Sequence, residues 1–322
     1  VQKNISNCIL INKIFHVEKN HSLPDFFVLG PPKTASTSLH YYLGQHPEVF
    51  MAEKKETRFF DLDFDKGIPF YQKYFESAQK GVRKGEATPT YAFLPFVAKR
   101  IYDLNPEAKL IFTFRNPVER AYSGWLMRHA KGNEKLSFRD AMIANLEQRS
   151  KIDFFSGDIS EAWLADQKGL GKRNEISLRT YIEGGLYSEQ LKAYKNYFPV
   201  ENIQINFLED IKKDADAVLK IIFTFLEIDN TFKCTSDTVK NKHNKNRLKF
   251  LFNLFGKEAV LKAGKIFPSS MKDKIISIVK VPQEKTKMTD ADRLFVYKIF
   301  ENDISSLEKL LNQSFDIWKV KD

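Results

Sequence analysis

Phe26-Phe27-Val28-Leu29 and Lys109-Leu110-Ile111-Phe112-Thr113-Phe114 are short, almost unbroken apolar runs, and each leads through a polar loop into a helix-period pattern. A strand that is apolar on both sides needs cover on both faces, which a parallel sheet between two layers of helices supplies. After the first run, Leu39 and Leu43 fall on one helical face. After the second, Pro117 suits the first position of a helix carrying Val118, Ala121, Tyr122 and Trp125 at i, i+3, i+4 and i+7. The alternation continues: residues 82–87 read as a strand, 93–104 as a helix, 186–198 as a helix and 203–208 as a strand. Val218, Ile222, Phe225 and Leu226 mark one face of a further helix. A last helix is predicted over 289–311, with Thr289 as its N-cap and Phe300, Ile304, Leu307 and Leu311 buried. These patterns predict an α/β fold, a central parallel sheet flanked by helices. No repeat, low-complexity tract or Gly/Ser linker interrupts the chain, so residues 1–23 read as an N-terminal arm and 24–322 as a single domain.

Composition narrows the classes of function. The 322 residues contain no run approaching the ~20 apolar residues of a membrane span. Only two cysteines are present, Cys8 and Cys234, too few for a disulfide framework. A reducing, cytoplasmic location is therefore expected, the alternative being a lumenal placement behind a removed N-terminal anchor. Lys and Arg exceed Asp and Glu by 51 − 41 = 10, which favours anionic ligands. Apart from residues 240–249 the basic residues are scattered among acids, whereas a nucleic-acid-binding protein needs a contiguous basic face, so no nucleic-acid partner is expected. None of the six histidines forms a metal-ligand spacing with a cysteine, and no metal is expected.

Two loops carry the chemistry. In Gly30-Pro31-Pro32-Lys33-Thr34-Ala35-Ser36-Thr37-Ser38 a strand gives way to a helix whose first turn brings free N–H groups, a dipole end, an ammonium and several hydroxyls toward one anion. A Ser/Thr-rich helix cap would use the same residues. The nucleotide-triphosphate loop GxxxxGK[ST] is not matched, and Arg115 stands where such enzymes need an Asp for magnesium, so a kinase or ATPase is disfavoured. Arg115 at the strand end and Ser123 two helical turns later can chelate a second anion, unless Arg115 merely pairs with a carboxylate. Two anion sites at neighbouring strand ends of a parallel sheet suit a nucleotide phosphorylated at both its 5' and 3' positions.

With these segments read, the chain resembles the PAPS-dependent sulfotransferases, particularly the carbohydrate branch with the heparan sulfate enzymes and bacterial relatives. Pro32 to Leu39 is similar to the family's 5'-phosphosulfate loop PKxGTTSL, and Arg115 to Ser123 to its 3'-phosphate motif RNPVERAYS. Lys55-Glu56-Thr57-Arg58-Phe59-Phe60-Asp61 resembles KExHFFD, and Glu86-Ala87-Thr88-Pro89-Thr90-Tyr91 resembles ExSPxY. The resemblance implies a P-loop-like sulfotransferase fold that binds PAPS (3'-phosphoadenosine-5'-phosphosulfate) as donor, through Lys33, Thr34, Ala35, Ser36, Thr37, Ser38, Arg115 and Ser123. PAP would be the product and no metal would be required. It further implies Glu56 as general base, with Glu86 in reserve, and Lys33 stabilising the leaving phosphate. Arg58, Glu86, Thr88 and Tyr91 would line the cleft for a small-molecule or glycan acceptor. Lys242, Asn244 and Arg247 would close over the 3' side of the nucleotide. Three positions depart from the pattern. Arg58 replaces a frequent His and Ala87 a frequent Lys. Ala35 replaces the loop glycine, which predicts a backbone that reaches the phosphosulfate without positive φ or with a small adjustment, and keeps a PAP-binding but inactive scaffold as the alternative.

Overall fold

The computed structural model describes residues 23–155, 159–169, 178–235 and 287–320. Lys242, Asn244, Arg247 and most of the N-terminal arm lie outside the described residues. The chain divides into two compact units, residues 1–232 with 291–322 and residues 233–290. The sheet, both loops and the interactions described here belong to the first.

Five strands, β1 (Phe26–Leu29), β2 (Val49–Met51), β3 (Arg83–Glu86), β4 (Lys109–Phe114) and β5 (Ile203–Phe207), form one sheet in the order β2-β3-β1-β4-β5. Every pairing is parallel, with Leu29 opposite Phe112 and Phe114 opposite Phe207. The apolar runs explain the arrangement, because β1 is buried along its whole length and β4 is buried from its second residue onward. The chain builds out from β1 to β3 and β2 on one side, then returns to β4 and β5 on the other. Its topological switch therefore lies between β1 and β4, where the ends of both strands open into neighbouring loops.

The described helices are α1 (Ser36–Leu43), α2 (Phe59–Leu62), α3 (Ile68–Gln72), α4 (Pro95–Leu104), α5 (Pro117–Ala130), α6 (Phe138–Arg149), α7 (Ser160–Gln167), α8 (Tyr187–Lys195), α9 (Leu208–Lys213), α10 (Ala215–Phe225) and α11 (Asp290–Leu311). Leu39 and Leu43 of α1, and Val118, Ala121 and Trp125 of α5, are buried as their spacing predicts. Asn116 caps α5, its Oδ1 accepting from the Val118 and Glu119 N–H groups at 3.0 and 3.2 Å, with Pro117 next in line. Two readings change. On α10 Phe223 is buried where Phe225 was expected, because Lys109 holds Phe225 at the rim: its Nζ donates to the Phe225 carbonyl at 2.7 Å and lies 5.0 Å over the ring. Leu311 is half-buried rather than buried, since α11 ends there.

The face that holds α11 to the body is not wholly apolar. Asp303, buried among Phe300, Ile304 and Leu307, accepts from the Ser188 N–H at 3.2 Å and the Ser188 hydroxyl at 2.5 Å, at the start of α8. Burial pushes its carboxyl from 3.8 up to about 6, against the opposing pull of the Ser188 hydrogen bonds. The folded state thus holds this proton more tightly than the unfolded chain. Its contribution to stability is fully present below the unfolded pKa and is lost as pH rises through 6, a change on the order of 3 kcal/mol. Asp303→Asn keeps an acceptor for Ser188 and should flatten that part of the stability profile. Urea unfolding across the acidic range would read it, and an unchanged slope would acquit Asp303.

Candidate functional site

Gly30 directly follows β1 and brings the first loop hard against β4. A Cβ at Gly30 would lie 1.9 Å from the Thr113 hydroxyl and 2.6 Å from the Thr34 hydroxyl. Those two hydroxyls are 3.0 Å apart, both residues are buried, and Thr34 also donates to the Pro31 carbonyl at 2.8 Å. Thr34 is thus the pin of the loop. On either side of it the backbone takes left-handed conformations, φ 84° at Lys33 and 82° at Ala35. Ala35 therefore keeps the conformation usually left to glycine, so of the two expected outcomes the loop does not avoid positive φ. The cost is roughly 1–2 kcal/mol for such a residue, and the packing of Thr34 between Pro31 and Thr113 enforces it.

Helix α1 starts directly after Ala35, with no side chain capping its first turn and no acidic residue in it. Its N–H groups and positive dipole end are available to an anion. The three hydroxyls expected to join them differ in exposure: Ser36 is buried, Ser38 half-buried and Thr37 exposed.

Arg115, at the end of β4, meets this loop. Its Nη1 donates to the Lys33 carbonyl at 3.4 Å, and its own carbonyl accepts from the Tyr187 hydroxyl at 2.8 Å. Its nearest described carboxylate oxygen, Glu119 Oε2, is 3.8 Å away, and the other oxygen of that carboxylate, Oε1, is bound by Arg293 at 2.5 Å. Among the described residues no carboxylate pairs with Lys33. Burial, then the positive charges of Arg115 and Lys131, hold its ammonium below the usual lysine range. Two cations brought together, one of them without a carboxylate partner among the described residues, are a site that a polyanion would stabilise. Ser123 lies on α5 two turns beyond Arg115 and is half-buried.

A second strained loop follows β2. Glu56 and Arg58 are left-handed, with φ 62° and 59°, and they bracket the buried Thr57. The Glu56 side chain is 44% exposed and, among the described residues, pairs only with its neighbour Lys55, at 2.6 Å. Arg58 is bound to Asp61 through Nε at 2.8 Å and Nη2 at 2.7 Å, and it donates to Gln167 at 3.2 Å. Asp61, buried, also accepts from Thr90 at 2.8 Å and from the Trp163 indole at 3.3 Å. The charge of Arg58 is therefore balanced within the protein, and the side chain ties the loop to α7. Glu86, Thr88 and Tyr91 are buried beneath the same loop, with their polar atoms bonded to one another and to Thr57. The sequence reading placed Gly30, Thr57 and Asp61 in these two loops without giving them a role, and it did not name Tyr71 or Trp163. Of these, only Gly30 had a local signal, its place between strand and loop.

Comparison with known proteins agrees with this geometry. The sulfotransferase domain model matches residues 23–301. The chain is 28% identical to the membrane-associated sulfotransferase kil1 of Dictyostelium discoideum, covering 72% of this chain and 63% of that protein. It is 27% identical to mouse heparan sulfate glucosamine 3-O-sulfotransferase 3B1, covering 67% and 49%. The chain thus spans less than two thirds of the length of these curated relatives. A crystal structure of a sulfotransferase from Alicyclobacillus acidocaldarius shares the fold, with a TM-score of 0.64 at 22% identity, covering 92% of this chain and 98% of that one. Among the described residues no helix is long and apolar enough to cross a membrane. A family match that takes in both strained loops and all five strands makes the chain a member of the sulfotransferase family.

Proposed function

We propose that this protein transfers a sulfuryl group from PAPS to a hydroxyl or amine of an acceptor, with a carbohydrate as the first candidate. The observation that carries the reading is the meeting of Lys33 and Arg115 at adjacent parallel strand ends, beside an uncapped helix, with no described carboxylate pairing with Lys33. In this reading Lys33 and the first-turn N–H groups of α1 hold the 5'-phosphosulfate, while Arg115 and Ser123 hold the 3'-phosphate. The acceptor oxygen or nitrogen forms a bond to sulfur as the bond from sulfur to the phosphate bridge breaks. The electron pair of that bond leaves with PAP, whose new charge Lys33 offsets, and the acceptor's proton passes to Glu56. The exposed carboxylate of Glu56, tied only to Lys55 among the described residues, is free to turn toward an acceptor. Arg58, Glu86, Thr88 and Tyr91 border that side, and the cytoplasmic location read from the two cysteines belongs to the same proposal.

Calorimetry with PAP tests the reading. Binding without magnesium is expected, and at a hundredfold excess over its Kd PAP should add about 2.7 kcal/mol of stability. Affinity should fall on the alkaline side at a lower pH than an ordinary lysine would impose, because the ammonium of Lys33 is held down in the free protein. Lys33→Arg, which stays charged, should abolish that fall. Absence of heat with PAP would remove the proposal, and a radiolabelled PAPS screen against glycans, lipids and small alcohols would identify the acceptor.

A further inference from the structure

Glu86 is the one buried carboxylate beside the second loop with no cation bonded to it among the described residues. It ends β3, is 1% exposed, and accepts from three hydroxyls: Thr57 at 2.5 Å, Thr88 at 2.7 Å, and Tyr71. Burial raises its pKa, and the hydroxyl donors oppose that rise. A carboxylate in such a place is costly unless its oxygens are satisfied, so the protein must gain something specific by keeping it.

The direction of the hydrogen bonds shows what is gained. Thr57 has a single hydroxyl proton, and its 2.5 Å contact with the Glu86 carboxylate uses it. The Thr57 oxygen is then an acceptor only, receiving the Phe59 N–H at 3.3 Å and the proton of Tyr91, whose hydroxyl lies 3.3 Å away. The Tyr91 oxygen in turn accepts from the Phe60 N–H at 3.1 Å. The chain of donors thus runs from the first turn of α2 through Tyr91 and Thr57 and ends on Glu86. Thr57 sits between Glu56 and Arg58, whose left-handed backbones each cost roughly 1–2 kcal/mol and need an anchor to persist.

We infer that Glu86 is the positioning residue for Glu56, acting through the Thr57 hydroxyl to hold the strained loop, and is neither an acceptor ligand nor a second base. All its oxygen contacts face inward, to Thr57, Thr88 and Tyr71, leaving its protonation site enclosed. This rests on the reading of Glu56 as general base. The same device recurs at the first loop, where the Thr34 hydroxyl holds Lys33 and Ala35 in left-handed conformations.

The test uses Thr57→Val, which keeps the shape but loses the hydroxyl, and Thr57→Ser, which keeps the hydroxyl. The readouts are PAP affinity, crystal structures with PAP, and release of radiolabelled sulfate from PAPS to water. Thr57→Val should slow release about tenfold or more, with PAP affinity within about twofold, while Thr57→Ser stays near wild type. In a Glu56→Gln background Thr57→Val should change release by less than about twofold, because a residue acting through Glu56 has nothing left to position. The crystal structure of Thr57→Val should show Glu56 and Arg58 out of the left-handed region. Loss in Glu56→Gln without loss in Thr57→Val, or a full multiplicative loss in the double variant, overturns the inference alone. No loss in Glu56→Gln overturns the reading beneath it and the inference with it.

Discussion

Glu56→Gln is expected to slow sulfuryl transfer by roughly a hundred- to ten-thousandfold while leaving PAP affinity nearly unchanged. Glutamine has the shape of glutamate but cannot take the acceptor's proton as the bond to sulfur forms. The side effects of the change are small. Among the described residues Glu56 pairs only with Lys55, in a contact where both side chains reach solvent, and exposed pairs of that kind contribute little to stability. Its loop is separate from the Lys33 and Arg115 loops, so the nucleotide should bind as before. Calorimetry with PAP and a radiolabelled transfer assay on one preparation separate the two quantities. If transfer continues at the wild-type rate, Glu56 is not the base. Glu86 could not readily take over, because its carboxylate is enclosed by Thr57, Tyr71 and Thr88.

The parts of this molecule that the sequence displays are those set by neighbours along the chain. β4 is legible because a strand covered on both faces must be apolar throughout, and Asn116-Pro117 announces the following helix through its cap. The cations Lys33 and Arg115 are legible for the same reason, since each sits at the end of such a run. β2 is not, because three residues at a sheet edge give no period to recognise. Nor are the two pins. The Thr57 hydroxyl meets Glu86 across 29 positions and Thr34 meets Thr113 across 79, and nothing local to a threonine says which distant oxygen it will find. The left-handed backbones follow from those pins, which is why an alanine at position 35 suggested a different loop. Arg58 shows the limit most clearly. Its charge invites an anionic ligand, yet Asp61 and Gln167 already use it, the second from 109 positions away.

The pin at Thr34 leads to the second large effect. In Gly30→Ala the new methyl would occupy a point 1.9 Å from the Thr113 hydroxyl and 2.6 Å from that of Thr34, distances no relaxed structure holds. Both threonines are fully buried and bonded to each other, so neither can swing into solvent. The loop backbone must lift from β4, with an overpacking cost of about 1–3 kcal/mol and the loss of a hydrogen bond contributing about 1 more. Lifting the loop moves Lys33 and the start of α1 away from Arg115, and PAP affinity should fall by at least about tenfold, since each 1.4 kcal/mol of lost contact is a factor of ten. The variant should also melt several degrees lower. Removing the obstacle should reverse much of this: in Gly30→Ala with Thr113→Ala the hydroxyl at 1.9 Å is gone, and PAP binding should return toward that of Thr113→Ala alone. If Gly30→Ala melts and binds PAP as the wild type does, close packing of the loop on β4 is not what holds the two cations together.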